Sequence, residues 1–155
     1  MCGCNTRYLL ARHISEKYYS LMHSLWAQRV APNADAAQLA NAMAATWQAI
    51  DLVLCPILGQ QGVIALYKRS LYLTRVSHLW LAPIYDSAVV TLSVEDLRVA
   101  MSHEETVAAR AGGDALLHTF NDLLVTLLGS SLTERLLHSV FHNSLSGPAA
   151  QDIYA

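Results

Sequence analysis

The stretch CPILGQQG, Cys55–Gly62, decides the fold, because it interrupts a long run of helical periodicity. Pro56 removes a helical backbone donor, and Gly59 and Gly62 loosen the chain beyond it, so a tight corner or sharp kink is predicted between two helices. Upstream, Ala36 to Leu54 places Leu39, Met43, Trp47, Ile50 and Leu54 on one face, with Gln38, Asn41 and Gln48 opposite. Downstream, a helix reaching about His78 sets Val63, Leu66, Ser70 and Leu73 against Lys68, Tyr72 and Arg75. Two helices joined by so short a corner face one another.

The same period extends outward. Tyr18, Leu21, Met22, Leu25 and Trp26 make an apolar stripe within Ile14 to Val30, reaching back toward Tyr8. DAAQ (Asp35–Gln38), SVED (Ser93–Asp96) and SLTE (Ser131–Glu134) each put a capping side chain three residues before an acid or amide. They predict helix starts there. A short helix is expected from Ser93 to His103 and a long one from Glu104 to Leu128, kinked or split at Gly112 and Gly113 and stopped at Gly129. A last helix is expected from Leu132 to Asn143. The segment APIYDSAVVTL, starting at Ala82, has no partner strand and is read as loop. The expectation is an all-α fold, a compact bundle of five to seven helices in a single domain, with mobile ends at 1–7 and 144–155.

Composition narrows the function classes. The chain has 155 residues, 54% hydrophobic and 14% charged, against roughly 25% charge in an average globular domain. Scarce polar surface predicts exposed apolar patches and self-association as a homodimer. Ten basic and twelve acidic residues give a net charge of -2, which offers no whole-molecule attraction to nucleic acid or to a membrane. No apolar run suggests a spanning helix and the N-terminus lacks a signal-peptide core, so a cytoplasmic protein is expected. Cys2, Cys4 and Cys55 suggest neither a disulfide framework nor a complete metal site.

The histidines are read by helix face. Leu116, Phe120, Leu123 and Leu127 form a core stripe, widened by Leu117, Leu124 and Leu128. His118 and Asp122 fall on the other side as an i,i+4 pair, in line with Ala108, Ala111 and Ala115. Small side chains allow close approach of another helix, which makes Ala108, Ala111, Ala115, His118 and Asp122 a candidate partner face. Glu134, His138 and His142 align opposite Leu132, Leu136 and Val140 and are read as solvated, because a zinc site needs three or four ligands and Ser139 stands where a metalloprotease carries Glu. No metal and no cofactor is expected.

Chemistry is otherwise thin. YKRSLYLTR, Tyr67–Arg75, is the densest basic segment, and Lys68, Arg69, Tyr72 and Arg75 are the candidate anion-binding residues. An ion pair between Asp51 and this cluster is the structural alternative. GQQG could offer free amides at a helix start but lacks the Lys-Ser/Thr of a phosphate loop. No Ser or Cys sits in a nucleophile motif, and the acid pairs Glu95-Asp96 and Glu104-Glu105 lie where the helix dipole explains them. The function expected is therefore a non-enzymatic regulatory or sensory module that binds a partner protein or a small anionic ligand. Its alternatives are a histidine phosphotransfer bundle carried by His118, though the residues after it lack the motifs of those families, and a haem or metal sensor of globin-like size.

Overall fold

The computed structural model describes Trp26, residues 30–87 and residues 93–146, with Ser87 and the last six residues described as backbone only. Among these residues the protein is all-helical, with five helices, one 3-10 turn and no strand. They are α1 (Ala36–Thr74), α2 (Ala82–Ser87), α3 (Val94–Ser102), α4 (Thr106–Leu128) and α5 (Ser130–Ser146), with the 3-10 turn at Leu79–Leu81 before α2.

The first helix is two limbs. Gly59 has φ 75° and ψ 160°, a backbone region open only to glycine, and it separates residues 36–58 from residues 60–74. The ring centroids of Trp47 and Tyr67 lie 4.9 Å apart at 73°. In one straight helix those residues would stand roughly 30 Å apart. The chain therefore doubles back at Gly59, three residues after Pro56, and the expected corner is a hairpin. Among the described residues α1 is the one element long and apolar enough by composition to cross a membrane. Its reversal at Gly59 leaves no straight span of its full length.

The start of α1 is fixed by a reciprocal cap. The Asp35 carboxylate accepts from the Gln38 amide at 2.8 Å, and the Gln38 side-chain oxygen accepts from the Asp35 amide at 3.0 Å. All five apolar residues read onto its face, Leu39, Met43, Trp47, Ile50 and Leu54, are buried. Ser93 likewise caps α3, accepting from the Asp96 amide at 3.2 Å. The third cap does not form as expected: α5 begins at Ser130, directly after Gly129, so Ser131 lies inside its first turn. Gly129 repeats the Gly59 device, with φ 83° and ψ 161°. Contacts of Trp47 with Phe120 and of Gly113 with Met43 show that residues 36–58 and α4 run in the same direction. Both glycine corners thus lie at one end of the molecule.

The structure corrects several expectations. Gly112 and Gly113 neither kink nor split α4, which is continuous from Thr106. They are there for close approach: a Cβ on Gly112 would meet the Trp80 indole, 2.8 Å from Cε2 and 2.9 Å from Nε1, and one on Gly113 would meet the Met43 methyl at 2.6 Å. These glycines, invisible to a count of apolar residues, turn the buried face of α4 toward Leu117, Asn121 and Leu124. Leu123 is consequently only half-buried and Leu127 is 61% exposed. Leu73, assigned to the core side of its helix, is exposed as well. APIYDS is helical, and α5 runs on to Ser146, past the expected start of a mobile tail. The N-terminal stripe lies outside the described residues except for Trp26, which is buried against α4 with its indole N–H donating to Asp114 at 2.6 Å.

Candidate anion-binding face

The second limb of α1 buries Val63, Ile64, Tyr67, Ser70, Leu71 and Thr74. Ser70 and Thr74 sit there without penalty, because each hydroxyl donates to a carbonyl one turn back, at 2.8 Å. That burial leaves Arg69 and Tyr72 exposed and Lys68 and Arg75 half-buried at the edge of the outer side.

The short α2 completes the arrangement. After the turn at residues 75–81 it packs back on α1 and brings Tyr85 to Tyr72, with ring centroids 5.7 Å apart. The Arg75 guanidinium lies over both rings, 4.4 Å from the Tyr72 centroid and 4.6 Å from that of Tyr85. Arg69 stands 5.2 Å over Tyr72 and the Lys68 ammonium 5.4 Å over Tyr85. Each such contact contributes about 0.5–1 kcal/mol at an exposed site and holds the cation in place. None of them neutralises a charge.

The neighbouring acids do not neutralise it either. Among the described residues the side chains of Lys68, Arg69 and Arg75 make no hydrogen bond and no ion pair. The expected partner, Asp51, is displaced by the hairpin register: pairing of Trp47 with Tyr67 sets residue 51 opposite residue 63, more than a turn from Lys68. Asp86, beside Tyr85, forms no ion pair with them. Glu95 is taken by Arg98, whose Nε donates to it at 2.9 Å, and this bond holds the Glu95 carboxyl below its usual range. Tyr85 is the member that sequence reading missed, because it lies in a segment taken for loop.

On the candidate partner face, Ala108, Ala115, His118 and Asp122 are half-buried and Ala111 is exposed. His118 Nε2 and Asp122 Oδ2 are 3.4 Å apart, the i,i+4 pair the spacing implied. Ala111 also lines an open cavity of about 450 Å³ with Pro32, Ala34, Arg110 and Asp114. His138 is exposed, while the side chain of His142 lies outside the described residues. Among the described residues no three His, Cys, Asp or Glu side chains converge as metal ligands would.

No family model, curated protein or solved structure matches the chain. The site must be read from its own chemistry.

The core holds polar atoms that helical periodicity gives no reason to expect. Asn121 is fully buried, and among the described residues neither its amide nitrogen nor its oxygen has a partner. The same holds for the Trp47 indole N–H and the Tyr67 hydroxyl. Burial pushes the Tyr67 hydroxyl well above its ordinary titration range, and the Asp96 carboxylate adds to that.

Proposed function

We propose that this chain is a non-catalytic helical module, a single compact bundle acting as a cytoplasmic homodimer, that binds an anionic group at Lys68, Arg69, Tyr72 and Arg75, with Tyr85 as a further member. The observation that carries the reading is the gathering of three cations on two tyrosine rings without a carboxylate among their contacts. A structural cluster would satisfy its charges internally, as Arg98 and Glu95 do. Here the rings preorganise the cations and leave their donors to an incoming oxyanion, for which a guanidinium offers a paired N–H edge.

Thermal-shift screening against nucleotides, cyclic dinucleotides and carboxylic acids tests the reading. A ligand at a hundred times its Kd stabilises the folded state by about 2.7 kcal/mol. The shift should vanish in Lys68→Ala and Arg75→Ala. A shift that survives both substitutions moves the site elsewhere, and the face at Ala108, Ala111, Ala115, His118 and Asp122 becomes the one to alter. The homodimer is tested by sedimentation, which contradicts it by showing only a 17.0 kDa species at micromolar concentration.

A further inference from the structure

Resting on that reading of the cations, we propose that the outer face of residues 61–79 docks on an anionic lipid bilayer, with Lys68, Arg69 and Arg75 meeting headgroup oxyanions and Tyr72, Leu73, Val76 and Leu79 entering the boundary between headgroups and acyl chains.

Three observations converge on this face. The first is local charge: no acidic residue occurs between Asp51 and Asp86, so the second limb and the turn after it carry three cations in a protein of net charge -2. A whole-molecule charge averages that asymmetry away, and electrostatic attraction to a surface falls off within about 8–10 Å at moderate salt, so the face matters more than the total. The second is apolar exposure at the same place. Val76 and Leu79 are each 77% exposed, and Tyr72 and Leu73 are exposed beside them. The third is placement: these side chains stand on the side of the helix and its turn that faces away from the buried Tyr67, Ser70, Leu71 and Thr74.

Together these features choose among occupants. A small soluble anion would engage the cations and leave Val76 and Leu79 in water. A second copy related by a two-fold axis through this face would set three cations against three, which is repulsive. An anionic bilayer satisfies both kinds of side chain at once, since basic residues sit at headgroup level, tyrosines favour the interface and aliphatic side chains enter just below it.

Cosedimentation of the full chain with phosphatidylcholine vesicles, with and without phosphatidylserine, tests the proposal. Binding is expected only with phosphatidylserine and should weaken as salt rises. Arg75→Gln should weaken it about fivefold, and Lys68→Gln/Arg69→Gln/Arg75→Gln about a hundredfold. Val76→Ser/Leu79→Ser should weaken it without any change of charge. All these side chains are exposed or half-buried at the surface, and unchanged circular dichroism verifies that each variant is folded. Absence of binding to phosphatidylserine vesicles at low salt overturns the proposal, as does full binding by Val76→Ser/Leu79→Ser. If soluble glycerophosphoserine shifts the thermal transition while vesicles do not bind, the membrane inference falls and the anion site stands. Vesicle binding that survives loss of all three cations overturns both.

Discussion

Gly112→Ala and Gly113→Ala, adjacent in one helix, should have different outcomes. Both gain the same local term, because alanine is favoured over glycine in a helix interior by about 0.8–1 kcal/mol. They differ in what the new methyl meets. At position 112 it lands within 2.9 Å of Trp80 Nε1 and closer still to other atoms of that indole, a rigid ring that must swing outward as a unit. Overpacking of this kind costs about 1–3 kcal/mol, so the net effect is a loss of about 1 kcal/mol. At position 113 the nearest atom is the Met43 methyl at 2.6 Å, then the Met101 methyl at 3.1 Å, both at the ends of flexible chains that can retreat, with Trp26 Cη2 at an ordinary 3.4 Å. There the terms nearly cancel, and stability should stay within about 0.5 kcal/mol of the parent. Urea titration monitored by circular dichroism reads both, and the thermal midpoints should differ by about 2–4 °C. If Gly112→Ala is as stable as the parent, or the order is reversed, close approach is not the reason α4 carries two glycines.

Gly59→Ala and Gly129→Ala should each cost about 1–3 kcal/mol by thermal unfolding, although a Cβ at either position meets nothing within 4 Å, because the cost is purely one of backbone conformation. Neutral substitutions would show that the corners can be built otherwise. Leu124→Ala should cost about 2–5 kcal/mol in a denaturant titration, while Leu127→Ala, at a side chain 61% exposed, should stay within about 0.5 kcal/mol of the parent. Equal costs would restore the simpler apolar stripe. Tyr67 holds its proton more tightly folded than unfolded, so its contribution is complete below its ordinary value of 10.0 and is lost as pH rises above it. Stability should therefore fall in that alkaline range, and Tyr67→Phe should flatten the fall; a Tyr67→Phe protein with the parent's alkaline profile would contradict the assignment.

Much of this fold was legible because local signals and tertiary packing agree along α1. Its five-residue stripe, its capping box and its glycine corner all derive from spacing and backbone chemistry. The features that escaped the sequence reading depend on contacts between distant segments. The rotation of α4 is set by Trp80 and Met43 lying against two glycines, and no periodicity within the helix encodes that. The burial of Asn121 depends on the same rotation, which puts a polar residue on the packed face. For the candidate site, Lys68, Tyr72 and Arg75 were readable from one helix face. Tyr85 was not, because it arrives through a turn, and neither was the failure of Asp51 to pair, which depends on hairpin register. Net charge is a sum over the chain and says nothing of where the acids are missing, so the acid-free run between Asp51 and Asp86 is visible only by position.

The packing of the helices and the layout of the basic face both depend on the reversal at Gly59, and one distance tests it. Spin labels at Ala37→Cys and Val76→Cys, both exposed positions, in a chain with Cys2, Cys4 and Cys55 replaced by serine, measure the separation of the two ends of the hairpin by pulsed electron resonance. Limbs packed side by side with axes about 8–10 Å apart predict a narrow distribution near ~20 Å once label lengths are included. A distribution centred near roughly 60 Å, the length of an unbroken helix over those residues, would contradict the hairpin and with it the register that leaves Lys68, Arg69 and Arg75 without Asp51.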